Sequence, residues 1–156
     1  MSKNRRFKII LILVEVSRIG LPFLIFTHPL LALICSLLLD NVDGQLFYEA
    51  GAKWSYYNTI DKLLDYWWYV FIVLYLWNAP IFGMALVLFL YRSIGQFIGI
   101  FRKDEKIYRW FPNILEWFFL LYLLFPHLNV GISLVISLLW SIFVEWLIHK
   151  SNAHIV

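Results

Sequence analysis

The sequence predicts an all-α integral membrane protein of about six transmembrane helices, with both termini in the cytoplasm. Three observations carry that expectation. Of 156 residues, 62% are hydrophobic and only 15% charged, where a soluble domain carries about 25% charged residues. The apolar residues fall into six runs, roughly 7–26, 30–50, 58–77, 80–101, 110–126 and 129–148, each near the ~20 residues that span a ~30 Å hydrocarbon core. The basic residues are one-sided: the turns THPL, WNAP and PHLN contain none. Lys3, Arg5, Arg6, Lys8, Lys53, Lys62, Arg102, Lys103, Lys106, Arg109 and Lys150 stand at or near the opposite ends of the runs, which by the positive-inside rule are cytoplasmic.

The first run follows MSKNRRFK, a start that imitates a secretory signal. No small-residue cleavage site follows, and Glu15 and Arg18 interrupt the apolar core, so the run reads as a retained helix. The second run is unusual. Only ten mostly apolar residues, LLALICSLLL, separate Pro29 from Asp40, and at ~1.5 Å per residue they cover about half the hydrocarbon thickness. Pro29 suits a first helical turn and nothing breaks the chain before Gly44. If the helix continues, Asp40 and Asp43 lie below the membrane surface on the cytoplasmic side.

The third run carries Asp61 and Asp65, and the fourth carries Arg92 in FLYRSIGQF. Most of the eight tryptophans fall at or near run ends, as an interfacial belt requires. Trp67 and Trp68, close after Asp65, either wall a cavity or simply pack. A single transmembrane domain, 1–156, accounts for the whole chain, because its longest polar stretches are the loop near 51–58 and RKDEKIYR at 102–109.

Several function classes are excluded. The formal charge of +3 collects at helix ends, so topology rather than nucleic acid explains it. Cys35 is a lone cysteine in an apolar run and forms no internal disulfide. The four histidines, His28, His127, His149 and His154, have no metal-ligand spacing, and the chain has neither an internal repeat nor a glycine-rich phosphate loop.

What remains is a constellation of carboxylates. Asp40 and Asp43 are three residues apart, Asp61 and Asp65 four apart, so each pair projects from one face of its helix. If the second and third helices are antiparallel neighbours joined by a short loop, four carboxylates meet in one cavity. Charges within a membrane are expensive unless neutralised, and divalent cations are the natural remedy. All-oxygen ligands favour a hard ion, Mg²⁺ or Mn²⁺, and four carboxylates suffice for two ions. The plainer reading is a set of interfacial helix caps, but four of the five aspartates of the chain belong to this cluster.

The spacing resembles the signature of the CDP-alcohol phosphotransferases, D-x2-D-G-x2-A-R-x8-G-x3-D-x3-D. Asp40, Asp43, Gly44, Asp61 and Asp65 occupy five of its eight fixed positions without insertion or deletion. Phe47, Tyr48 and Tyr57 stand where the signature has alanine, arginine and glycine. Arg18 in the first run and Arg92 in the fourth also match arginines common in that family.

The resemblance implies a six-helix membrane enzyme of phospholipid biosynthesis, commonly a homodimer, with its active site toward the cytoplasmic side. Such an enzyme transfers a substituted phosphate from a CDP-linked lipid or alcohol donor to an alcohol acceptor and releases CMP. Asp40, Asp43 and Asp61 would be the principal metal ligands, and Asp65 a shared ligand and the general base. Asp40, Asp43 and Gly44 would border the nucleotide, with Gly44 leaving room against the backbone. The three departures fall on that nucleotide side.

Other residues keep two readings. Arg92 suits a phosphate on the acceptor or an ion pair with Glu15, Glu116 or Glu145. Glu15 and Arg18, three apart, can satisfy each other. Arg102, Lys103, Lys106 and Arg109 either draw anionic substrate, Arg102 and Lys103 by way of an acceptor phosphate, or mark topology. Two further functions stand beside the enzyme: a non-catalytic relative that binds metal or nucleotide lipid or supports a partner membrane enzyme, and a cation transporter. Against transport, no acidic residue of the second or third run continues the path to the far turns.

Overall fold

Six α-helices account for most of a computed structural model that describes residues 3–51, 54–102 and 105–150, and these described residues contain no strand. They are α1 (Lys3–Gly20), α2 (Pro29–Glu49), α3 (Trp54–Tyr75), α4 (Phe82–Arg102), α5 (Ile114–Leu124) and α6 (Val130–Lys150), with short 3-10 helices at Leu21–Phe26 and Glu105–Trp110. The chain forms two compact units, 1–71 and 72–156.

In the first unit, the first apolar run changes from α-helix to 3-10 helix at Leu21, with Pro22 in the opening turn. Proline has no N–H to continue the i→i−4 ladder, so the tighter helix follows. Pro29 occupies the first turn of α2, and the helix runs without a break through Asp40, Asp43 and Gly44. The helical continuation expected from the sequence is therefore present. Gly51 ends it in the left-handed region, φ 68°, where glycine carries no Cβ penalty. Phe23, Phe26 and Trp67 all pack against Phe71, with ring centroids at 4.8, 5.9 and 4.8 Å.

In the second unit, α4 packs against the 3-10 helix that follows it. A Cβ on Gly95 would lie 2.3 Å from the Phe111 side chain, and one on Gly99 would lie 2.4 Å from the Tyr108 ring. Glycines four apart let the two segments approach this closely. Gly95→Ala is expected to cost about 1–3 kcal/mol by overpacking, read as a lower thermal midpoint of the detergent-purified protein; an unchanged midpoint would mean Phe111 can withdraw freely. Farther on, Ser141 Oγ donates to the carbonyls of Ser137 (2.7 Å) and Asn113 (2.9 Å), tying α6 to the start of α5. The turn before α6 supplies its own hydrogen bonds: Leu128 N–H reaches Phe125 O at 2.9 Å, and Asn129 Oδ1 accepts from Gly131 N–H at 2.8 Å.

Among the described residues, four segments are long and apolar enough to cross a membrane: Arg6–Phe26, Pro29–Glu49, Phe82–Arg102 and Val130–Leu147. Their outer faces are apolar, with Ile12, Leu13, Val16, Val87 and Leu139 all about 60% exposed, where a water-facing helix would carry charge. The two remaining runs differ for separate reasons. α3 carries Asp61, Lys62 and Asp65, and α5 has only 11 residues.

Candidate functional site

The four aspartates converge within the first unit, and the side chain that gathers them is Arg18 of α1. Its Nη1 donates to Asp43 Oδ2 and, at 3.1 Å, to Asp61 Oδ1. Its Nη2 donates to Asp40 Oδ1 at 2.9 Å and Asp65 Oδ1 at 3.1 Å. The planar fork of a guanidinium suits it to span carboxylates from different helices. The pairing of Arg18 with Glu15 alone, open from the sequence, gives way to these four bonds, because tertiary convergence offers more acceptors than the local turn does.

Lys62 closes the other side of the α3 pair. Its ammonium donates to Asp61 Oδ2 at 2.6 Å and to Asp65 Oδ2 at 3.1 Å. By sequence Lys62 is one of the topology charges, and its place between aspartates at i−1 and i+3 is the signal for this pairing. Among the described residues, four carboxylates thus face two cations, an excess of two formal negative charges within the cluster. Asp43 and Asp61 are buried, whereas the Asp40 side chain is half exposed at 49%. The cluster therefore has an open edge at Asp40 and a closed one at Asp43.

One oxygen each from Asp40, Asp61 and Asp65 lies within 4.8 Å of the others. Opposite oxygens around an ion bonded at about 2.1 Å stand about 4.2 Å apart, so these three lie near the spacing of one hard cation while Arg18 and Lys62 bond the same carboxylates. Carboxylate oxygens of this kind are the donors that hard divalent ions prefer. Asp43 is less available, since Arg18 holds one of its oxygens and the Tyr57 hydroxyl donates to the other at 3.0 Å.

Tyr57 also occupies the space beside Gly44. A Cβ on Gly44 would lie 2.9 Å from the Tyr57 hydroxyl oxygen, so the ring fills the gap that the glycine leaves. Phe47 is buried beneath it, 4.8 Å from the Tyr57 ring centroid, and packs with Leu11 and Ala50. Tyr48, by contrast, is exposed at 62%. Of the three positions that depart from the signature, two build a small hydrophobic core and one faces outward.

Trp67 takes the packing role of its two readings. Its indole N–H donates to the Ile19 carbonyl at 3.1 Å, and its ring meets Phe23 edge-on. That bond fixes the last turn of α1, one residue from Arg18, against the helix that bears Asp61 and Asp65.

The remaining sequence candidates belong to the second unit. Arg92 is buried, donates through Nη1 to the Phe111 carbonyl and lies 5.8 Å from the Tyr108 ring centroid. Arg102 ends α4 with its side chain exposed. Lys103 lies outside the described residues.

No family model, curated protein or solved structure matches the chain. The case for a function therefore rests on the residues of the first unit and on their spacing.

Proposed function

We propose that the chain is a Mg²⁺-dependent phosphotransferase of the CDP-alcohol type, embedded in the membrane by about six helices, with both termini and the site on the cytoplasmic side, and acting as a homodimer. The observation that carries this reading is the convergence of Asp40, Asp43, Asp61 and Asp65 on one centre, at the spacing of that family's signature. The deficit of two charges is that of a divalent ion, and two ions would be held once Arg18 releases its oxygens.

In the reaction, the acceptor hydroxyl oxygen forms a bond to the phosphorus that bears the donor's substituent. The bond from that phosphorus to the oxygen of CMP breaks, CMP leaves with the electron pair, and the hydroxyl proton passes to a carboxylate oxygen of Asp65. Asp40, Asp43, Asp61 and Asp65 would hold the metal, which neutralises the pyrophosphate and the leaving phosphate. Asp65 is suited to the proton because it is partly exposed, at 13%, whereas Asp43 is closed off. Purified protein in lipid, given Mg²⁺, a CDP-linked donor and an alcohol acceptor, should release CMP; no release from CDP-diacylglycerol or CDP-alcohol donors would sink the assignment.

A second reading draws on Tyr57. With its ring against Gly44 and its hydroxyl on Asp43, the space for a nucleotide is filled, which favours a relative that binds metal without turnover or supports a partner enzyme. Tyr57→Gly separates the two. If the ring merely narrows an active pocket, the substitution raises affinity for a CDP compound at least tenfold in equilibrium dialysis. Unchanged affinity in a chain that still binds Mn²⁺ favours the non-catalytic reading.

A further inference from the structure

A divalent cation drawing on Asp40, Asp61 and Asp65 meets carboxylates that each give one oxygen to Arg18, with Lys62 bonding the second oxygen of Asp61 and of Asp65. A divalent ion among these oxygens stands close to the guanidinium, and like charges at short range repel, so metal binding favours moving the buried guanidinium to another partner. That partner must lie within reach of a side chain anchored on α1, and it must be negative, because a buried cation left alone is costly.

Glu15 meets these requirements. It lies three residues before Arg18, hence on the same face of α1, and long helical side chains lean toward the N-terminal turn, where Glu15 stands. Both of its carboxylate oxygens are shut off from solvent and accept no hydrogen bond from any described residue. It also lies within electrostatic reach of both Arg18 and Asp61. A buried carboxylate without a donor is unfavourable by itself; as a receiving position for Arg18 it has a use.

We infer that Arg18 is the exchangeable counter-ion of the aspartate cluster and that Glu15 is the positioning residue that receives it when a divalent cation takes the aspartates. This rests on the reading that the aspartates bind such a cation. The exchange keeps Arg18 and the aspartate cluster each paired in both arrangements, gives Glu15 a partner in the metal-bound one, and makes metal affinity depend on a carboxylate that is no metal ligand.

The test is Mn²⁺ titration followed by electron paramagnetic resonance on the full chain in detergent: unsubstituted, Glu15→Gln, Arg18→Gln and the double variant. Glu15→Gln should weaken Mn²⁺ binding about tenfold, or about 1.4 kcal/mol, while its thermal midpoint without metal stays unchanged or rises. A merely structural Glu15 would lower that midpoint. Arg18→Gln should tighten binding, and the double variant should match it, because Glu15 then has nothing to receive. Equal weakening by Glu15→Gln in both backgrounds, or no weakening in either, overturns the inference while leaving the metal site standing. Absence of Mn²⁺ binding in every variant removes the metal reading and the inference together. Glu15→Asp supplies the test if Arg18→Gln does not fold: it keeps the charge but shortens the reach, so weakened binding supports docking, and affinity equal to the unsubstituted chain overturns it.

Discussion

Asp65→Asn should lower CMP release at least a hundredfold while the chain remains folded. Asparagine keeps the size of the side chain and the oxygen that accepts from Arg18, but it takes no proton at neutral pH. General-base catalysis contributes about 10²–10⁴ in rate, and loss of a ligand charge adds to that. Stability should change little, because removing one of four mutually repelling carboxylates offsets the weaker bonds to Arg18 and Lys62. Size exclusion and a thermal midpoint establish folding, and CMP release reads the chemistry. Activity within a factor of three of the unsubstituted protein would remove Asp65 from the reaction.

Arg18→Gln should have the largest effect on stability. The guanidinium is 7% exposed and bonded to four carboxylates, and breaking a buried pair by removing one partner costs about 3–5 kcal/mol. Without it, Lys62, which bonds Asp61 and Asp65, is the cation left on the cluster among the described residues. Millimolar Mg²⁺ should recover much of the loss, since a ligand at a hundred times its dissociation constant stabilises by about 2.7 kcal/mol. Thermal unfolding with Mg²⁺ and with a chelator measures both. An unchanged midpoint in chelator would show that the four aspartates do not depend on Arg18.

The helix order and the meeting of the aspartates were legible because both follow from local periodicity: apolar runs of fixed length, and carboxylates at i+3 and i+4. The partner of Arg18 was not. From the sequence Glu15 was an available neighbour, and only the tertiary approach of α2 and α3 to α1 put four competing acceptors in range. Lys62 was misplaced for a similar reason, since a basic residue near a helix end signals topology and ion pairing with the same letter. Tyr57 was marked as a departure, but the direction of its ring depends on Gly44 in the preceding helix, and no spacing rule carries that. The run 110–126 is mostly apolar and so overstates α5, which begins only at Ile114, after Pro112, and ends at Leu124.

That short helix bears on how the chain could rest in lipid. Eleven residues reach about 16 Å, roughly half of the hydrocarbon layer, so an inserted α5 would leave its C-terminal turn submerged. Submerged backbone is tolerable only where its amides and carbonyls already have partners. The turn at 125–129 has several: Phe125 N–H is tied to Leu121 O at 2.8 Å, Leu128 N–H to Phe125 O, and Asn129 caps the next helix. A turn wired in this way asks little of water, so the end of α5 can enter lipid without exposing bare backbone.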